Sequence, residues 1–492
     1  MYIRYAALIF LGSSIFISSF KGEKQPVPQK MNVLFISVDD LRPELGCYGK
    51  KYMHTPNIDK LASEGRIFSN HFVYSAICGP SRNTLLSGHR TLSYDYWKPW
   101  RTSTSKPDSV ISIPQLFKEH GYMTVGIGKI SHEPGGVMDS LQQIHEVPYA
   151  WNRTYAPVGE WRDPWRAFFA YAGGKAKQYG YGRGNDTHKL YPFEAADVPD
   201  SGYPDGLNAE EAIRQLEDLK DTSFFLAVGF YKPHMPFNAP KKYWDMYDPE
   251  KIPDAVIKHI PEGVTSDLFY GPNDLGSEPR RYRWPNDTSR YQITAARARI
   301  LKHGYAACVS YTDAQIGKIL TALKKLGLDK NTMVVLWGDH GWHLGEYGSW
   351  GKHTNFDVGL RSPLIIMMPG MNAPGVSTKS LAETVDIFPT LADICGLPIP
   401  DHIRSIGTSL KPVLKDPKTE VKPYAFSERI FDGHRGSTIR NQQYRLQINI
   451  NKKGDTTDIA LFDNEEIPIP KTNIADRYPD VVRSLMGELK KY

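Results

Sequence analysis

Cysteine is scarce in this sequence: Cys47, Cys78, Cys308 and Cys395 are the only four in 492 residues. They are dispersed, and no two fall in a C-x-x-C pattern, which excludes a disulfide framework, a cysteine zinc site and a dithiol redox centre. Long apolar runs are missing too, apart from Ala6 to Phe20, which follows Arg4 and is interrupted by Gly12, Ser13 and Ser14. That run is shorter than the roughly 20 residues a spanning helix needs. With the polar stretch Lys21 to Lys30 behind it, it reads as a secretory signal peptide over residues 1–22 and a linker over 23–31. No cysteine follows to carry a lipid. The mature protein is therefore expected in the periplasm or secreted, with no stable membrane anchor. Repeats, low-complexity tracts, basic helices and aromatic-basic motifs are absent, and with them any support for nucleic-acid binding. The net charge of +6 is modest for this length and suits an anionic substrate without requiring one.

What is present is an alternation of short apolar runs and helical periodicities. Asn32–Val38, Met123–Ile127, Phe224–Phe230, Thr332–Trp337 and Leu364–Met368 read as buried strands. Helical spacing is visible over Pro56–Glu64, Ile113–His120, Asn208–Leu219, Ala295–Leu326 and Ile387–Cys395, several closed by glycine. This predicts an α/β domain over residues 32–414, with a large mixed, mostly parallel sheet sandwiched by helices. After Lys415 the texture changes to short alternating strands and a final amphipathic helix from about Pro479, a smaller α+β subdomain over 415–492. The stretches 180–206 and 231–291, rich in Gly, Pro, Tyr and charge, read as binding loops or lids.

In an open α/β sheet ligands gather beyond the carboxyl ends of the strands. Asp39–Asp40, His132, His234 and Asp339–His340 each follow a strand. Adjacent carboxylates repel unless a cation lies between them, so each acidic strand end suggests a hard metal ion; the alternatives are a helix N-cap and a solvated turn. His340 is unusual in such a set, since calcium prefers oxygen. Cys78 precedes Gly79, Pro80, Ser81 and Arg82, a turn-like context with a nearby cation that suggests an activated thiol.

Cys78, Pro80, Ser81 and Arg82 match the C-x-P-S-R hallmark of the type I sulfatases of the alkaline phosphatase superfamily, which the sequence resembles over nearly its whole length after the leader. The second family element usually ends Leu-Thr-Gly-Arg, and here it reads Leu86-Ser-Gly-His89, which bears on how efficiently the cysteine is modified. Further matches are Val38–Gly49, Thr55–Asp59, Leu461–Asn464 and Thr472–Asp476. Tyr231-Lys-Pro-His-Met-Pro-Phe237, Asp339–Glu346 and Trp350-Gly-Lys-His353 are most similar to iduronate-2-sulfatases and bacterial glycosaminoglycan 2-O-sulfatases.

The resemblance implies that a maturation enzyme oxidises Cys78 to formylglycine. It implies one Ca²⁺ held by Asp39, Asp40, the modified Cys78, Asp339 and His340. One hydroxyl of the hydrated aldehyde attacks sulfur and the other then expels sulfate. Arg82 holds the formylglycine, Lys129 and His132 steady the hydrate and the sulfate, and His234 and Lys352 flank the sulfate on the substrate side. His234 is implied as proton donor to the leaving oxygen and His132 as base. Trp342 and Tyr94-Asp-Tyr-Trp97 are candidate sugar contacts, with core or lid packing the alternative. The expected function is removal of the 2-O-sulfate from uronic acids of heparan or dermatan sulfate fragments. The rivals are another sulfate ester (aryl, choline, 6-O- or N-sulfated sugar), a phosphonate ester, and a catalytically silent sulfated-glycan-binding protein.

Overall fold

The run Asn32–Val38 is apolar on both of its alternating faces, and in the computed structural model it is the fully buried strand β1. Leu34, Ile36 and Val38 enter one hydrophobic core, while Val33 and Phe35 enter another on the opposite side. The structure describes residues 30–90, 110–136, 146–176, 190–270, 282, 284, 293–401, 403, 406–431, 434–464 and 469–492. The expected signal peptide, most of the expected linker and Tyr94–Trp97 lie outside the described residues.

Seven further strands complete the central sheet: β2 (Arg66–Phe68), β3 (Met123–Gly128), β4 (Arg153–Tyr155), β5 (Phe224–Phe230), β6 (Thr332–Gly338), β7 (Leu364–Met367) and β8 (Ser377–Thr378). Their order is β8-β2-β7-β6-β1-β5-β3-β4. β1 pairs in parallel with β6 and β5, and the parallel set continues through β3 to β4. β7 runs antiparallel to both neighbours, the one reversed strand of the eight.

Helices cover both faces. On one side α1 (Pro56–Glu64), α4 (Pro204–Asp218) and α5 (Ala295–Lys325) present Ile58, Leu61, Ala212, Leu216, Ile316 and Ile319 to the first core. On the other, α2 (Cys78–Ser87), α3 (Ile113–Glu119) and α6 (Ile387–Cys395) bury Leu85, Leu116, Phe117 and Leu391. Each such leucine, isoleucine or phenylalanine contributes about 1.5–3 kcal/mol of burial, so the sandwich is stabilised from both sides of β1. α4 begins at Pro204, ahead of the expected Asn208, because proline is preorganised for the first helical position. Cys78, expected in a turn, is instead the first residue of α2; Pro80 lies in the first turn, where its missing N–H has no intrahelical partner to lose.

The C-terminal region forms an antiparallel meander of β9 (Ala425–Phe431), β10 (His434–Arg440), β11 (Tyr444–Ile450) and β12 (Thr456–Asp463). α7 (Pro479–Leu489) closes it, with Leu485 against Ile439, Leu446 and Leu461. The meander is joined to the main body by the Glu428 amide on the Tyr74 carbonyl (2.7 Å) and the Tyr74 hydroxyl on the Glu428 carboxylate (2.6 Å). Among the described residues no helix is long and apolar enough to cross a membrane.

Candidate active site

The register of the sheet builds the site. Val38 pairs with both Gly338 and Phe230, and Gly128 pairs with Gly229, so Asp39, Asp339, Tyr231 and Lys129 leave the sheet at one edge. Two amides extend the pairing by one residue: Asp39 N–H reaches the Phe230 carbonyl and Asp339 N–H reaches the Val38 carbonyl, both at 3.2 Å. Gly128 turns away with φ of +68°, a conformation other residues rarely adopt, and thereby brings Lys129 over Asp39. Asp40 is itself left-handed (φ +56°). Tyr305 of α5 pins that turn, its hydroxyl donating to the Asp40 carbonyl (2.8 Å) and accepting from the Arg42 amide (3.0 Å).

Cys78, at the head of α2, projects into this cluster. Its Sγ lies 3.4 Å from Asp39 Oδ1, 3.2 Å from His340 Nε2 and 3.1 Å from Lys352 Nζ. Burial first, then the charge of Asp39, pushes the thiol up to about 12 despite Lys129 and Lys352. That direction is opposite to the lowering that an activated thiol would show. The reason is that α2 buries Cys78 beside a carboxylate.

Arg82, one helical turn on, is fully buried and joins the parts. Nε donates to Asp339 Oδ2 (2.9 Å), and Nη1 donates to Ser37 Oγ (3.0 Å) and to the carbonyls of Lys129 (2.6 Å) and Ile130 (3.1 Å). Lys129 Nζ donates to Asp39 Oδ2 (2.6 Å) and Lys352 Nζ to Asp40 Oδ1 (2.7 Å). Burial alone would raise both carboxyls. Lys129, followed by His234, Arg82 and Lys352, brings Asp39 well below the ordinary range. Asp40 stays well above it, since burial and the charge of Asp39 outweigh Lys352.

Donor atoms of Asp39, Asp40, Cys78 and His340 all lie within 4.8 Å of one another. Asp40 Oδ2 is buried without a hydrogen-bond partner, and His340 Nδ1 is engaged by the Gly341 carbonyl (3.0 Å), which leaves Nε2 directed at Asp40 Oδ1 (3.4 Å). Two carboxylates, one orphaned buried oxygen and a directed imidazole fit a hard divalent cation. Asp339 stands at the edge of this group: Oδ1 accepts the Asp40 amide (2.9 Å), Oδ2 takes Arg82, and Oδ1 is 3.7 Å from His340 Nε2.

His234 reaches the cluster from the loop after β5, with Nε2 3.9 Å from Asp40 Oδ2 and Nδ1 2.6 Å from the Met235 carbonyl. Burial first, then the positive charge of Lys352, pushes it well below the usual histidine range. Its loop is anchored by Asp205, whose carboxylate accepts the amides of Tyr231 and Lys232, both at 2.8 Å. Phe168 completes the wall, its ring centroid 4.5 Å from that of His234 and 4.1 Å from Lys129 Nζ. His132 is half-buried, edge-on to Trp165 at 6.1 Å, and outside the four-residue cluster. Trp342, a candidate sugar contact, is 0% exposed: it packs against Phe237 and lies 5.4 Å beneath Lys352 Nζ, so it supports the site from behind. Phe168, Asp205 and Tyr305 were not identified as site residues. The aromatic pair Phe168–Phe169 was a visible signal for the first; Asp205 fell in the stretch read as a binding loop, and Tyr305 read as an ordinary helix position.

A family model described as Sulfatase matches residues 31–397, and one described as N-sulphoglucosamine sulphohydrolase, C-terminal, matches residues 345–492. The chain is 37% identical to the iduronate 2-sulfatase of Mus musculus over 425 residues, covering 80% of this chain and 73% of that one. The phosphonate monoester hydrolase of Agrobacterium radiobacter superposes with a TM-score of 0.74 at 23% identity, covering 94% of this chain and 95% of that one. A structure described as a 2-O GAG sulfatase gives a TM-score of 0.64 at 22% identity, covering 94% and 92%. At such identities these two structures speak to the fold. The chain belongs to the sulfatase family, as a type I sulfatase of the alkaline phosphatase superfamily, and its reaction class is sulfuric ester hydrolysis.

Proposed function

We propose that this sulfatase removes the 2-O-sulfate from uronic acid residues of glycosaminoglycan oligosaccharides, using Cys78 oxidised to formylglycine beside one calcium ion. The observation that carries the reading is the position of Cys78, within 3.1–3.4 Å of Lys352, His340 and Asp39 at the head of a buried helix. The substrate class is supported by the 37% identity to an iduronate 2-sulfatase.

Asp39, Asp40, His340, Asp339 and the oxidised residue 78 are the proposed ligands. Bound there, calcium would acidify a hydroxyl on residue 78 and draw in sulfate oxygens. The aldehyde hydrate supplies one hydroxyl to attack sulfur and a second whose deprotonation releases sulfate.

The chain's own groups do the rest. Lys129 and Lys352 give the anion two buried ammonium donors, and in a site this dry their stabilisation of the transition state is large. Arg82 ties α2 to Asp339 and so fixes residue 78. His234, held neutral by burial, gains a proton as the anionic ester enters and passes it to the leaving sugar oxygen. His132 is the proposed base at the hydrate, and Trp342 supports Lys352 from beneath.

The test is peptide mass analysis of the fragment around Cys78 in protein from its native host, paired with sulfate release. An aldehyde at position 78 with sulfate release supports the reading. An unmodified thiol in protein that binds sulfated glycan without releasing sulfate would replace it with a binding function.

A further inference from the structure

Lys352 reaches Asp40 and Cys78 from a loop whose backbone is held by the C-terminal meander. The next residue, His353, is left-handed (φ +73°), which costs a non-glycine residue about 1–2 kcal/mol. Both of its backbone groups are engaged. Its amide donates to the carbonyl of Ala76, two residues before Cys78 (3.2 Å), and its carbonyl accepts Nη1 of Arg429 from β9 (2.9 Å). Arg429 is 3% exposed, and it also donates to the carbonyls of Phe269 and Leu268, each at 2.9 Å, and of Asp267 (3.5 Å), in the short helix Ser266–Tyr270.

The grip continues along the loop. Thr354 Oγ1 meets His343 Nε2 at 2.8 Å, the Asn355 carbonyl accepts Arg445 Nη1 (2.8 Å), and Asn355 Nδ2 donates to the Gly436 carbonyl (2.8 Å). A Cβ at Gly436 would lie 3.0 Å from Arg429 Nε and 3.1 Å from Asn355 Nδ2, so any larger residue there would press on both side chains of the clip. Burial brings the guanidinium down to about 10, which leaves it charged at neutral pH.

We propose that Arg429 is a positioning residue for Lys352: the C-terminal subdomain sets the sulfate-binding ammonium through a guanidinium clip on the His353 carbonyl. A planar fork can bridge carbonyls of two segments at once; a lysine reaches with one point charge. The inference rests on the reading of Lys352 as a sulfate-binding residue. Displacing such a group by an ångström costs on the order of 10²-fold in rate.

The experiment is a double-mutant cycle on full-length, oxidised, calcium-loaded protein, with p-nitrophenyl sulfate as a probe that requires only sulfate-ester chemistry. Arg429→Met should lower kcat on the order of 10- to 100-fold, with KM changed far less. Arg429→Lys should recover part of the loss and serves in its place if the methionine variant does not fold. In a Lys352→Ala background the Arg429 substitution should cost nothing further. Losses that multiply in the double variant, or a folded Arg429 variant with unchanged kcat, would overturn the inference. A Lys352→Ala enzyme of unchanged activity would instead defeat the underlying reading of Lys352.

Discussion

Glu346 ends the segment that begins at Asp339, and its carboxylate is buried between Arg42 Nη1 (2.9 Å) and the Leu344 amide (2.6 Å). Burial alone would raise its pKa, but Arg42, then His343 and nearby amides, carry it from 4.5 down to about 2. A gap of about 2.5 units corresponds to about 3 kcal/mol of stability. The folded value lies below the unfolded one, so the contribution is fully present above about pH 4.5 and is lost as pH falls toward 2. Glu346→Gln should therefore destabilise the protein by about 3 kcal/mol at pH 7, which for a chain unfolding as one unit of this size lowers Tm by about 3 °C. The gap between wild type and variant should close as pH falls below 4 toward 2. Calorimetric melts of both proteins at pH 7, 5, 4 and 3 measure it. A gap under about 1 kcal/mol at pH 7, or one constant with pH, would refute the assignment of this stability to the Arg42–Glu346 pair.

Cys78→Ala should abolish sulfate release and leave Tm within a few degrees; activity retained by the alanine variant would remove residue 78 from the chemistry. Chelation by EDTA should stop turnover and lower Tm, and calcium at 100 times its Kd should restore about 2.7 kcal/mol; melts and rates unaffected by the chelator would argue against a resident ion. Phe168→Leu removes the ring 4.1 Å from Lys129 Nζ while keeping an apolar side chain there. A desolvated cation–π contact is worth about 2 kcal/mol, so kcat should fall roughly tenfold or more with a small change in Tm, and an unchanged kcat would confine Phe168 to packing.

Much of this architecture was readable because local pattern and tertiary role coincide. β1 is apolar on both faces, so its burial follows from its residues, and Asp39–Asp40 mark its end without ambiguity. β5 and α6 keep their expected limits for the same reason. The reversal of β7 was not readable, since a short run flanked by turns carries no information on direction. Helix α2 was hidden by Gly79 and Pro80, which signal a turn locally yet are compatible with a first helical turn. Trp342 was ambiguous because an aromatic beside a charged motif serves a core as readily as a cleft. Asp205 and Tyr305 act through backbone groups distant in sequence, and only the packing of α4 and α5 against the strand ends brings them to the site. Arg429 is further still, acting from a separate sheet on a carbonyl.

The central claim is hydrolysis of a uronate 2-O-sulfate by oxidised Cys78 in the Asp39–Asp40–His340 cluster. Its most direct test is sulfate release by mature, calcium-loaded protein from disaccharides carrying a single 2-O-, 6-O- or N-sulfate. Release from the 2-O-sulfated uronate alone is the predicted result. Release only from another disaccharide would contradict the substrate assignment, and silence across the panel, with residue 78 shown to be oxidised, would contradict the assignment to glycosaminoglycan sulfate altogether.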